Sequence, residues 1–420
     1  MRNTKLHYGW IVLLGIILIR GFTGGGLNTT SGLFLLPVSN DIGVGIGTLS
    51  IYLSITSIVL VFWFPFAGRL INKYDIRFVA LCAVILQAGA FSLLGLMNNV
   101  SGWYILAVPY AMGSGILANL LGPILINRWF KKNTGLILGV QMAFVGLFGA
   151  VLQPLASSLI EGTGWRNTYF ILGGITFIVV ILSIIFIIRD RPENKNLKPY
   201  GYEEINNGNN NKTVKSVEIP EKKALSSASF FLLLFFMISL TGVGVFTQHI
   251  PTYGSAIGYS VKQTGSALSF TSLGTAIGSI AIGIICDRLG SLKTCYGLII
   301  VGITAVIGFL ISSGGIYVFF ISAFLHGLVS AGIMVLSPIL TIEFYGQQDY
   351  EKIYAKVSMG APLASIILVP AYGFIYDITG GYFFVLIGMI VLLLAAMFCI
   401  GYGWKMRCTS EGCPTFRKKA

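Results

Sequence analysis

The chain has 420 residues, 55% of them hydrophobic and 10% charged. Soluble proteins carry about 25% charged residues, so this chain cannot cover itself with polar surface and its solvent must be lipid. Its net charge of +13 comes from bases in short loops between apolar runs, with no basic helix and no interleaved aromatic stripe, which sets nucleic-acid binding aside.

Apolar runs long enough to span a bilayer recur twelve times. In chain order they are expected near 9–36, 46–71, 77–97, 101–127, 134–160, 168–188, 227–254, 263–285, 294–312, 316–341, 353–376 and 381–403. The first follows Arg2 and Lys5, is too long for a signal peptide and lacks a cleavage site, so it reads as a retained transmembrane helix. Residues 189–226 are polar and Asn-rich and read as a cytoplasmic linker. The expected division is an N-terminal six-helix half at 1–188, the linker, a C-terminal six-helix half at 227–404 and a cytoplasmic tail at 405–420.

With the N-terminus in the cytosol, 25 of the 28 Lys and Arg fall on the inner side and the outer loops hold Arg166 and Lys262. That asymmetry puts both termini in the cytoplasm, and the chain reads as a multi-pass plasma-membrane protein. Cys82, Cys286, Cys295, Cys399, Cys408 and Cys413 lie in apolar runs or on the reducing side, so no disulfide framework is expected. Cys408 and Cys413 lack the further ligands of a metal site and read as ordinary tail cysteines.

The two halves repeat. "GRLINKYDIR" (68–77) follows the second run and "GIICDRLGSLK" (283–293) the eighth, with Gly68 and Gly283 215 residues apart. "GPIL" (122–125) and "SPIL" (337–340) keep that offset, while Pro154 and Pro370, and Gly164 and Gly380, stand 216 apart. Gly283, Asp287, Arg288, Gly290 and Lys293 resemble the loop signature G-x-x-x-D-R-x-G-x-x-[RK] of the major facilitator superfamily. The first copy keeps Gly68 and a basic residue, Lys73, with Leu70 between them and Arg77 one residue before the last position, but has Asn72 in place of Asp and Asp75 in place of Gly. "GWRNTYF" (164–170) is similar to a segment of the same superfamily. The resemblance implies an all-α membrane fold of twelve transmembrane helices in two parallel six-helix repeats. A narrower likeness, to bacterial monocarboxylate porters and the oxalate:formate antiporter group, rests on "HYGWIV" (7–12), "NRWFKKNTGLILG" (127–139) and, loosely, "HIPTY" (249–253).

The loop residues Gly68, Asn72, Lys73, Gly283, Asp287 and Arg288 are candidates for a conformational gate. Asp287 is expected to accept backbone N–H groups from a neighbouring helix start or to pair with Arg288, in contacts that exist in one conformation and break in another. The alternative is that these charges merely set topology. Gly135-xxx-Gly139 and Gly274-xxx-Gly278 are expected to let helices approach closely, and Gly24–Gly26 to let the first helix bend. No GxxxxGK[ST] occurs, so ATP is not the evident energy source, and no cofactor is expected.

All fifteen carboxylates fall in loops or at helix ends, leaving Arg20, His326 and His249 as the ionisable groups at membrane depth. An arginine there costs about 2.5–3.5 kcal/mol on insertion scales and normally marks a substrate path. Without an intramembrane carboxylate, Arg20 has an external anion as its natural partner, held in bidentate geometry, unless backbone carbonyls at a helix break tie it down instead. His326 and His249 either titrate and carry protons or are ordinary core histidines. Asn28 and Asn119 either supply donors to a carboxylate or bridge helices.

The family likeness has gaps. Animal monocarboxylate porters carry a lysine where this chain has Asn28, and an Asp and Arg in helix eight, where 263–286 is uncharged; the lysine in helix eleven of the oxalate antiporter also has no counterpart. One buried cation would leave a dicarboxylate half neutralised, so a monoanion is the better match. The expected activity is secondary active transport of a small organic anion, a monocarboxylate, by alternating access, with proton symport, antiport or neither, and with lipid as the surrounding partner. An efflux pump for amphiphilic compounds is the alternative, for which 19 Tyr and 29 Phe would supply a lining. An enzyme is not expected.

Overall fold

The computed structural model describes residues 7–130, 134–195, 197–201, 219–346 and 350–407. Cys408 and Cys413 lie outside them; Cys82, Cys286, Cys295 and Cys399 are free thiols. Among the described residues there are helices and one isolated bridge, Phe130 to Tyr200. The first four spans are α1 (Tyr8–Ile42), α2 (Ile46–Lys73), α3 (Ile76–Leu94) and α4 (Val100–Trp129). A helical run then starts at Thr134, but Gly164 has φ 82° and ψ 162°, which breaks it into α5 (134–163) and α6 (165–187). There follow α7 (Ala228–Gln248), α8 (Val261–Leu289), α9 (Ser291–Leu310), α10 (Ile316–Tyr345), α11 (Gly360–Thr379) and α12 (Phe383–Lys405). The twelve expected spans are therefore present.

Several run longer than their apolar core. α1 continues past Pro37 to Ile42, because a single missing N–H costs less in lipid than exposing a helix end, and Gly43 at φ 69° finally stops it. Polar residues cap the water-facing starts. Asn99 Oδ1 accepts the Gly102 N–H at 2.9 Å at the start of α4, and Ser260 with Gln263 forms a capping box on α8. Large apolar side chains cover the outside, with Phe62 and Ile105 each 70% exposed and Ile378 83% exposed. Such a surface is stable against hydrocarbon and not against water.

Helix packing divides the chain into two compact units, Met1–Val44 with Ile55–Asn211, and Gly45–Ser54 with Lys212–Ala420. The repeat is visible in the backbone. Gly43 and Gly258, 215 residues apart, both adopt positive φ, as do Gly164 and Gly380. At a third place the copies differ. Gly290 makes the α8–α9 turn at φ 85°, whereas Asp75 makes the α2–α3 turn at φ −58° and caps α3 by accepting the Arg77 N–H at 2.7 Å.

The glycine expectations divide. A Cβ on Gly274 would stand 2.1 Å from the Phe324 carbonyl oxygen and one on Gly278 2.9 Å from Ala331 Cβ, so α8 and α10 do cross at this pair. Gly139 has nothing described within 4 Å of the same point. No close contact is therefore described at Gly139, and the surroundings of Gly135 lie outside the described part.

Candidate substrate site

α1 is an α-helix to Arg20, a π-helix from Gly21 to Asn28 and an α-helix again from Thr29. α4 widens in the same way at Gly115–Leu120. A π-turn leaves carbonyls beyond reach of their usual donors, and in lipid each must find another. Within α1 hydroxyls do this: Thr23 donates to Ile19 O at 2.7 Å, Thr29 to Gly25 O and Thr30 to Gly26 O, each at 2.6 Å. The glycines serve packing as well as the wide turn, since a Cβ on Gly25 would meet the Val145 carbonyl oxygen of α5 at 2.4 Å.

Arg20 ends the first α-helical segment at 4% exposure, and among the described residues no other Arg, Lys, Asp or Glu is buried. Its Nε donates to the Ala118 carbonyl in the π-turn of α4 at 2.9 Å. Its Nη2 lies 3.5 Å from Met142 Sδ of α5, a weak acceptor. Nη1 has no described partner. Beside it Gln141, also on α5 and fully buried, leaves both Oε1 and Nε2 unbonded. The two side chains converge over Gly122 of α4, where a Cβ would come 2.4 Å from Gln141 Oε1, 2.8 Å from Arg20 Cδ and 3.3 Å from Arg20 Nη1.

Asn28 belongs to a second polar cluster. Its Oδ1 accepts from Tyr110 Oη at 2.6 Å and Gln87 Nε2 at 3.2 Å, and its Nδ2 donates to Ser114 Oγ at 3.0 Å, joining α1, α3 and α4. Asn119 is exposed, and its Nδ2 donates to Ser114 O at 3.3 Å. No described hydrogen bond joins either asparagine to Arg20.

Both membrane histidines are fully buried in the second unit. His249 Nε2 lies 2.9 Å from the Val369 carbonyl and Nδ1 3.0 Å from Tyr382 Oη. A carbonyl can only accept, so Nε2 carries a proton there while Nδ1 meets the tyrosine hydroxyl, and the ring braces the end of α7 against α11 and Tyr382. His326 Nε2 is 3.1 Å from Thr247 Oγ1, with the rings of Phe246 and Phe309 edge-on to the imidazole.

At the loops, Asp287 and Arg288 are exposed at the end of α8, and among the described residues no hydrogen bond or ion pair reaches Asp287. The expected pairing of Asp287 with Arg288 is thus not formed. Gly68 and Gly283 are open, Lys73 is exposed with Nζ 5.5 Å from the Tyr74 ring centroid, and the side chain of Asn72 lies outside the described part. Ties do form nearby. Arg128 at the end of α4 pairs with Asp190 beyond α6, and Arg77 Nη2 donates to Ile185 O at 2.9 Å. Burial pushes the Asp190 carboxyl up from its ordinary value, opposed by Arg128 and Arg191 and reinforced by Asp75. In the second unit, Asp377 at the end of α11 accepts the Ile46 and Gly47 N–H groups at 3.0 and 2.8 Å, capping α2.

The family model described as "Major Facilitator Superfamily" matches residues 13–320. The chain belongs to the major facilitator superfamily. It is a multi-pass membrane transporter and not an enzyme. Among curated members, monocarboxylate transporter 4 of Gallus gallus is 26% identical over 94% of this chain and 84% of its own length. The uncharacterized MFS-type transporter YhjX of Escherichia coli is 21% identical, over 85% and 86% respectively. The narrower resemblance to monocarboxylate porters is thus matched by similarity over nearly the whole chain. A solved superfamily structure, a bacterial homologue of the human lysosomal transporter Spinster, shares the fold with a TM-score of 0.69 at 13% identity, covering 96% of this chain and 98% of that one.

Within this superfamily member, the residue that sequence reasoning passed over is Gln141. The available signal was a glutamine amide in an otherwise apolar stretch of α5, the same signal that singled out Asn28 and Asn119. Its convergence with Arg20 over Gly122 could not be read from spacing, since 121 residues separate them.

Proposed function

We propose that this transporter carries a small organic monocarboxylate across the plasma membrane by alternating access of its two six-helix halves, with both termini in the cytoplasm. The observation that carries the reading is Arg20, a buried cation with a free Nη1 and no described carboxylate beside it. A guanidinium in low dielectric gains most from a carboxylate, and one such cation matches one negative charge. The long similarity to monocarboxylate transporter 4 supports the same substrate class. Asn28, with Tyr110 and Ser114, is assigned to lining the substrate path, and the gate to the loops around Asp287 and Asn72. His326, whose Nε2 lies beside the Thr247 hydroxyl, is assigned to moving a proton in preference to His249.

Uptake of labelled monocarboxylates into proteoliposomes, with and without an imposed pH gradient, tests this. Saturable uptake of a monocarboxylate, competed by other monocarboxylates and not by amphiphilic cations, is the expected result. Transport of amphiphiles without any carboxylate competition would replace this reading with drug efflux. Gradient-driven uptake that is unchanged in His326→Gln would remove His326 from the coupling.

A further inference from the structure

We infer that Gln141 is the second arm of the anion site, so that a bound carboxylate bridges Arg20 Nη1 and the Gln141 amide over the bare Cα of Gly122. The inference rests on the Arg20 reading above. Three observations carry it. Gln141 is fully buried, yet neither Oε1 nor Nε2 has a described hydrogen bond. Buried amides left wholly unsatisfied are rare and costly, and a native one calls for an explanation such as an absent ligand. Arg20, the neighbouring cation, is also incomplete, and the free atom is the one that lies over the same glycine. Gly122 is what permits the convergence, because a Cβ there would overlap Gln141 Oε1 and Arg20 Cδ.

The chemistry of the pair suits a carboxylate. Arg20 Nη1 donates to one carboxylate oxygen, and rotation of the Gln141 amide about its last torsion presents Nε2 to the other. A glutamine offers this donor without adding a charge, which a second cation or a carboxylate could not do. Met142 Sδ sits at Nη2 on the same helix as Gln141, and a flexible thioether is a cover that can swing aside. Arg20 Nε stays bound to Ala118 O throughout and keeps the guanidinium plane in place.

The test uses the full chain purified in detergent, with sodium acetate as the probe and sodium chloride at equal ionic strength as control. Thermal stabilisation against acetate concentration is measured for wild type, Gln141→Leu, Gln141→Glu and Arg20→Gln. Gln141→Leu removes two orphaned polar atoms, so it is expected to melt no lower than wild type without ligand while binding acetate at least tenfold more weakly. Gln141→Glu supplies its own anion to Arg20, and is expected to melt higher without ligand and to lose the acetate response. A residue with a merely structural role would behave in the opposite way, lowering the unliganded melting temperature and leaving acetate affinity unchanged. If Arg20→Gln loses the acetate response while both Gln141 variants bind within twofold of wild type, the Arg20 site stands and the role of Gln141 is overturned. If Arg20→Gln itself binds acetate like wild type, the underlying reading falls and this inference with it. An equal response of the wild type to chloride would overturn carboxylate recognition by the pair.

Discussion

In the first unit α1 and α4 both widen into π-turns, and the polar groups beside them, Arg20 Nη1 and the Gln141 amide, end without partners. In the second unit the helix equivalent to α4, α10, runs without such a turn from Ile316 to Tyr345, and His249 is bound at both ring nitrogens. The two repeats share positive-φ glycines at two of their loops, Gly43 with Gly258 and Gly164 with Gly380, yet one leaves a cation and an amide open at depth where the other braces His249. A duplicated scaffold can therefore assign recognition to one copy and bracing to the other. In lipid, an unmatched group is retained against a cost of several kcal/mol, which is reason to look for what it matches.

The largest expected effect tests the open side of that comparison. Arg20→Gln should weaken carboxylate binding by about 2–5 kcal/mol, or roughly thirty- to several-thousand-fold, with Arg20→Lys in between because a point charge lacks the fork. Isothermal titration with a carboxylate reads this directly, and full-strength binding by the Gln variant would erase the contrast between the units.

His249→Phe tests the closed side. It strands the Val369 carbonyl and the Tyr382 hydroxyl, so stability should fall by about 1–3 kcal/mol with carboxylate affinity unchanged. A variant that melts like wild type but binds or couples poorly would move His249 into the substrate site.

The glycine spacings supply a matched pair. Gly274→Ala forces a Cβ onto the Phe324 carbonyl and should cost about 1–3 kcal/mol. Gly139→Ala meets open space and should stabilise by about 0.5–1 kcal/mol, since glycine is a poor helix former. Melting temperatures in one detergent decide it; equal losses would mean that α5 uses its glycine as α8 does.

The smallest effect lies at the Arg128–Asp190 pair. Burial raises the folded carboxyl above its unfolded value, so the stability this group contributes is present at acid pH and declines as pH rises through the raised value. The melting temperature of Asp190→Asn relative to wild type should accordingly improve as pH increases across that range. A relative loss at higher pH would show that attraction to Arg128 outweighs burial.

The amino-acid sequence alone determined the spans, the duplication and the superfamily, because these depend on residue type and spacing along one chain. Bilayer thickness sets the length of an apolar run, and an unmatched arginine in such a run is conspicuous wherever it folds. Tertiary structure decided which polar groups meet. Asp377 capping α2 from 330 residues away, His249 reaching Val369 and Tyr382, and Gln141 and Arg20 both approaching Gly122 are contacts between separate helices. A hydrogen bond is won or lost within half an ångström, and that depends on helix rotation and crossing, which local pattern does not encode. The same reason explains Gly139 and Gly274: one spacing motif, with opposite surroundings once the helices have packed.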